Sequence, residues 1–197
     1  MRVTGRLGEA TIKFILLGFL LIAVSGCERK NMTKTGDALK SERWWTYLAE
    51  YDGTPGSTMV NLALKKSAPR SDYPILLVTG VSYESPPTNS GLPKPDELNA
   101  LNELSDKRKG FINQHTKAIF AGIFTHKNDR LDYFYITDSN GLGAALSNFY
   151  QTECPARKPY INIKPDEHWE AYLDFLYPNS QTIEFHRKEL ERIGALK

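Results

Sequence analysis

The sequence predicts an α+β fold: an antiparallel β-sheet built from hairpins, with helices packed on a face, after an N-terminal signal peptide. Three observations carry this. Two pairs of strand-like runs, 43–51 with 57–65 and 118–125 with 131–137, are each joined by a short polar turn. A nearly continuous apolar run, PILLVTGV at 74–81, has the composition of a central strand. Stretches with apolar residues at helical spacing are interspersed with these hairpins, which favours an antiparallel sheet over a strict βαβ alternation.

The elements follow in order. Residues 43–51, RWWTYLAEY, are rich in aromatic strand formers. Asp52-Gly53-Thr54-Pro55-Gly56 is turn chemistry, and residues 57–65 then alternate with Val60, Leu62 and Leu64 on one face. The loop SPPTNSGLPKP at 85–95 is the one Pro- and Gly-rich break. A helix runs from Pro95 to about His115, with Leu98, Leu101, Leu104 and Phe111 or Ile112 along its apolar stripe. Asp96 and Glu97 suit the positive end of its dipole, and Lys107, Arg108 and Lys109 suit the later turns. The second hairpin turns at His126 to Arg130. Asp138-Ser139-Asn140 offers an N-cap to a helix with Leu142, Leu146, Phe149 and Tyr150 on one face. Residues 159–163 make a short strand. The segment DEHWEAYLDFLY sets Trp169, Tyr172, Leu173 and Leu176 on a helix face and ends at Pro178. A last amphipathic helix spans about Gln181 to Ile193, with Ile183, Leu190 and Ile193 as its apolar points.

The N-terminus carries an address. Arg2, Arg6 and Lys13 precede FILLGFLLIAV at 14–24, an uncharged run too short to span a bilayer, which needs ~20 residues. A basic region before a short apolar core is the pattern of a secretory signal. Val24-Ser25-Gly26-Cys27 then resembles the lipobox of bacterial lipoproteins: an aliphatic residue, two small ones and a cysteine. The resemblance implies a lipid thioether on Cys27, cleavage between Gly26 and Cys27, and acylation of the new amino group. Several acyl chains anchor stably where one does not, so the partner at this end is a membrane. Glu28 follows, and the absence of Asp there resembles outer-membrane sorting in sources with two membranes. The expected organisation is a signal peptide at 1–26, a lipidated cysteine with a polar tether at 27–42, and one α+β domain at 43–197. The tether, ERKNMTKTGDALKSE, spans on the order of 20 Å as a coil.

Charge and motif content exclude several functions. Net charge is +2 over 197 residues. The excess sits in the signal segment, where Glu9 alone opposes three cations, so the rest of the chain is balanced. That gives no electrostatic case for nucleic acid. The histidines 115, 126, 168 and 186 include no HExxH or His-x-x-x-His pair, so no metal ligand set is expected. Cys154, left single once Cys27 is lipidated, reads as a buried small hydrophobe. Gly141-Leu142-Gly143-Ala144-Ala145-Leu146 lacks the third glycine of a dinucleotide loop and reads as a tight turn into a helix. No cofactor is expected.

A set of landmarks then coincides: Trp44-x-x-Tyr47, Asp52-Gly53-x-Pro55, Val60-Asn61-Leu62, Gly91-Leu92-Pro93, Thr125, Arg130, Tyr133-Phe134-Tyr135, Asp166-x-x-Trp169-x-x-Tyr172 and Leu176-Tyr177-Pro178. Together they resemble the bacterial domain-of-unknown-function family numbered 695 over about residues 43–185. The resemblance implies the fold and transfers no active site. Some relatives continue into a domain similar to the regulator of ribonuclease E activity, for which a chain ending at Lys197 leaves no room.

The expected function is that of a membrane-anchored envelope lipoprotein whose domain binds another protein without catalysis. Trp44, Trp45, Tyr47 and Tyr51, on the first hairpin, are the expected contact where alternation turns one aromatic face outward, and ordinary core and sheet packing is the competing reading of the same residues. The alternative is a hydrolase-like envelope enzyme whose site forms only in the fold, with Cys154 and His126 as its best residues. A cytoplasmic regulator of RNA turnover is a third reading, opposed by the lipobox.

Overall fold

A computed structural model describes residues 42–84, 92–192 and 194. Gly26, Cys27, the tether up to residue 41, residues 85–91 of the Pro-rich loop, and Ile193 lie outside the described residues.

The first strand, β1 (Trp44–Tyr51), turns back into β2 (Thr54–Asn61). Only Asp52 and Gly53 form the turn, both at positive φ (48° and 73°), the backbone of a two-residue hairpin that matches strand twist. Thr54, Pro55 and Gly56 therefore belong to the strand, not to the longer turn expected. β2 also ends early. Asn61 caps a 3₁₀ turn, Leu62–Lys66, by accepting from Ala63 N at 3.1 Å, so Leu62 and Leu64 leave the strand. Leu64 is still buried.

β3 (Ile75–Ser82) leads through the loop to α1 (Pro95–His115). Next comes the hairpin of β4 (Ala118–His126) and β5 (Asp129–Ile136), whose turn is Lys127 and Asn128 alone, both at positive φ. α2 (Leu142–Glu153) follows, then β6 (Pro159–Pro165), a six-residue π-helical turn (Ala171–Leu176) and α3 (Ser180–Arg192). Gly141, at φ 69°, is the N-cap of α2, and no side chain caps it, so Asp138-Ser139-Asn140 does not play that part. Asp138 instead folds onto Asn140 N at 3.1 Å.

All strands pair antiparallel in one six-stranded sheet of order β1-β2-β4-β5-β3-β6, and the fold is α+β. A bulge between Phe120 and Gly122 shifts the register of β4 against β5. Before it, even-numbered residues of β4 face α1 and α2; after it, odd-numbered ones do, so Phe120 and Thr125 share a face.

Both faces of the sheet are covered, not one. On one, Leu77, Val81, Phe134 and Ile136 pack under Leu101, Leu104 and Ile112 of α1 and Leu142, Leu146, Phe149 and Tyr150 of α2. On the other, Tyr47, Val60, Leu76, Val78, Ile119 and Tyr135 pack against Leu64, Trp169, Tyr172 and Leu176. Short non-α segments cover this second face. This explains why Tyr133, Phe134 and Tyr135 are all at most 8% exposed although they alternate in direction.

Candidate functional site

Three clusters concentrate the chemistry of the described residues. The first lies under α1. Arg108, 1% exposed, reaches the fully buried Asp132 of β5 through Nε at 3.0 Å and Nη2 at 2.5 Å. Ser105 donates to the same carboxylate, and Arg108 also donates to Tyr150 Oη, which pairs with Thr79 Oγ1 at 2.7 Å. Burial pushes the Arg108 pKa down, and Asp132 and Tyr150 together more than offset it, so the pKa is raised and the cation kept. The network is buried and its members bond one another, which suits a fixed core better than proton transfer. Charge alone groups Arg108 with Lys107 and Lys109 in turns that suit the helix dipole; the helical period turns it inward, one turn from Leu104 and Ile112.

Arg130 lies beside this pair. Its guanidinium donates to Asn102 Oδ1 and, at 3.4 Å, to Thr125 Oγ1, while Nε is buried without a partner. Burial lowers its pKa, and the neighbouring Arg108 acts in the same direction.

The second cluster explains the Asp166-x-x-Trp169-x-x-Tyr172 landmark. Asp166 accepts from Tyr135 Oη at 2.7 Å and from the backbone of Glu170 and Ala171, at the start of the π-helical turn. Trp169, at φ 57°, stacks on Tyr135 and donates to Tyr73 O. Tyr172 and Tyr47 send their hydroxyls to Asn61 O and Leu176 O, both at 2.9 Å. The segment read as one continuous helix from 166 therefore begins with a left-handed Trp169. Its apolar spacing still describes the buried side: Trp169, Tyr172 and Leu176 are fully buried.

The third cluster holds the expected contact residues, and the hairpin does not present them as an outward row. Tyr47 is 1% exposed and belongs to the core. Trp45 and Tyr51 lie on its side of the sheet: Trp45 meets Tyr47 and His186, and Tyr51 meets Phe124, His126 and Phe175. Trp44 points to the opposite face, with its ring 5.2 Å from Phe120. All three are half-buried. The packed second face removes the premise of an outward aromatic side.

His126 and Cys154 are separated by the sheet. The imidazole Nε2 of His126 contacts Thr54 Oγ1 at 2.8 Å and Tyr51 O at 3.0 Å, where it ties the two hairpins together. Cys154 ends α2 and packs with the core on the α1–α2 side. Burial pushes its thiol pKa up, away from a reactive thiolate. No nucleophile–base pair arises from these two. His168 is exposed, and His115 bonds Phe111 O within α1. Among the described residues, no group of three or more His, Cys, Asp or Glu is placed to hold a metal ion.

Two surface features remain. Between α1 and α2 an open groove of about 420 Å³ is lined by Phe111, His115, Asn148, Phe149 and Thr152 among others. Beside β1, α3 lies along the sheet edge, where His186 Nδ1 sits 3.1 Å from Leu48 N.

A family model described as a family of unknown function, DUF695, matches residues 42–177. The chain belongs to that family. The DUF695 span runs from just before β1 to just past the π-helical turn, so it contains the whole sheet and both buried clusters, and α3 follows it. No curated protein and no solved structure matches the chain.

Proposed function

We propose that this protein is a lipid-anchored lipoprotein of the cell envelope whose DUF695 domain binds another protein without catalysing a reaction. The anchoring part rests on residues 14–27, where a basic region, an apolar core and Val24-Ser25-Gly26-Cys27 stand in register. The acyl groups on Cys27 hold the domain at the membrane, on the periplasmic face of the outer membrane where the source has two membranes. No described helix is long and apolar enough to cross a membrane.

The binding part is carried by one observation: the sheet separates His126 from Cys154, the residues with the best claim to nucleophilic catalysis. The polar groups of the two buried clusters are spent on holding the fold. The surfaces that α1, α2, α3 and β1 present are suited to contact.

The test is palmitate labelling of the full chain and of C27A, followed by membrane fractionation and in-cell cross-linking. Wild type takes up label, begins at Cys27 and captures a specific envelope protein, while C27A stays unlabelled and loses capture. An unlabelled wild-type chain with Met1 retained overturns the anchor. A labelled chain that turns over a small substrate and captures no protein overturns the binding role.

A further inference from the structure

The two edges of the sheet are closed by different means. In an antiparallel ladder, the N–H and C=O of alternate residues point toward the neighbour strand and away from it. On β6, Asp166 N bonds Pro74 O and Ser82 N bonds Lys158 O, so the even-numbered residues face β3. The odd-numbered residues, Pro159, Ile161, Ile163 and Pro165, point their backbone outward. Two of the four lack an N–H, one at each end of the strand. Proline at these two outward positions removes half of the donors an added strand would use, while Ile161 and Ile163 keep theirs.

On β1, Leu62 N bonds Arg43 O, so the odd-numbered residues face β2 and the backbone of Trp44, Thr46, Leu48 and Glu50 points outward. None of these is proline. The edge is covered by α3 instead, and Leu48 N–H donates to His186 Nδ1 at 3.1 Å, a side chain standing where a neighbouring strand would supply a carbonyl. Trp45 meets the same imidazole edge-on at 5.4 Å, and Phe185 packs against the core beside it.

That cover is a surface helix. No residue of α3 is buried, and Ile183 is 52% exposed. The helix carries its own support along its length. Arg187 bridges Glu184 and Glu191, Lys188 reaches Glu184, and Arg192 pairs with Glu189 at helical spacings. Such pairs stabilise a helix whether or not it is docked. α3 also lies outside the span that defines the family, whereas β1 lies within it.

We propose that β1 is a strand-pairing surface for an extended segment of a partner protein, and that α3 is a displaceable cover latched to it through His186. The partner adds a strand outside β1, its backbone replacing the imidazole at Leu48 and engaging Thr46 and Glu50, the mode in which main-chain hydrogen bonds supply affinity. This deepens the protein-binding reading of the domain and rests on it.

The experiment uses the full chain, with His186→Ala to open the latch and His186→Asn to keep an acceptor opposite Leu48. The probe is an acetylated, amidated eight-residue peptide of alternating threonine and valine, with its fully N-methylated counterpart as control. The readouts are residue-resolved amide exchange and peptide affinity. H186A exchanges the Leu48 amide about tenfold faster than wild type, as loss of one hydrogen bond requires. It also binds the peptide about tenfold more tightly, with the Thr46, Leu48 and Glu50 amides protected. H186N behaves as wild type, and the N-methylated peptide does not bind.

A Leu48 amide still protected in both H186A and the double variant F185A/H186A overturns the latch. An exposed Leu48 amide with no peptide protection overturns the pairing surface. Protection of the same amides in H186A alone, rising with protein concentration, makes a second copy the occupant and overturns the partner assignment. An envelope protein cross-linked through the α1–α2 groove, with β1 amides unchanged, overturns the edge while leaving the binding domain intact.

Discussion

Trp169 lies flat on Tyr135, their ring centroids 3.8 Å apart and their planes 7° from parallel. The pair joins the sheet to the π-helical turn, because Tyr135 Oη also bonds Asp166 and accepts from Tyr172 N at 3.1 Å. Trp169→Ala removes the largest fully buried side chain and is expected to cost about 3–5 kcal/mol. Tyr135→Phe keeps the stack and removes the hydroxyl that donates to the Asp166 carboxylate, while the Tyr172 N–H retains the Trp169 carbonyl at 3.0 Å, an expected loss of about 1–3 kcal/mol. Urea midpoints of both variants against wild type measure this, and equal losses would contradict the division of labour.

Arg108 and Asp132 form a fully buried pair, with side chains 1% and 0% exposed. Removing one partner strands the other. Asp132→Asn alone or Arg108→Met alone is expected to cost about 3–5 kcal/mol. The double variant is expected to lose less than the sum, because no orphan charge remains. A double-mutant cycle by chemical denaturation reads the coupling, and strict additivity would show that the two groups do not depend on each other.

These two clusters show how far the sequence was legible. Periodicity located α1 from Pro95 to His115 and both hairpins, because each is written in consecutive residues. The buried role of Arg108 was not legible, because its partner lies 24 residues away on a strand and its neighbours Lys107 and Lys109 point only to the helix dipole. Trp169 was placed on the correct buried side, but its left-handed backbone was not foreseen, since nothing local marks an aromatic residue for positive φ. The aromatic hairpin was read as two-sided with one face outward. The cover over Tyr47 comes from Leu176, 129 residues away, which no window along the chain can see. The family, by contrast, was legible from short scattered landmarks, because many of them sit at turns and buried contacts.

His186 accepts from Leu48 through Nδ1, so the docked helix needs the neutral imidazole. Burial holds its pKa below the ordinary histidine value. The undocked state therefore takes up the proton first. Docking is complete above the ordinary value of about 6.5 and weakens as pH falls from there through the lower docked value. The charged groups of α3 pair with one another, so burial and not a nearby charge sets the direction. Trp45 fluorescence, followed as the pH is lowered, is expected to change across this interval in wild type and to stay flat in H186N. A flat wild-type profile would count against the imidazole's role.

Gly80 stands where β3 passes β5, and an added Cβ would lie 1.9 Å from the carbonyl oxygen of Arg130. Backbone cannot give way there without parting the strands. Gly80→Ala is expected to cost about 3 kcal/mol or more. Gly110→Ala, on α1 with open space around its Cβ, is expected to be neutral or stabilising by up to about 1 kcal/mol. Thermal unfolding of the two variants tests the contrast.

The prolines at 159 and 165 set a ceiling on assembly. Indefinite edge-to-edge growth needs every molecule to offer two open sides, as in a fibril. Here the β6 side has lost two of its four outward donors to proline, which no release of α3 can restore. A chain whose cover has lifted offers a full ladder on β1 and a broken one on β6, which disfavours growth beyond the first added strand. Such a chain can be opened at β1 while its other edge resists continued strand addition.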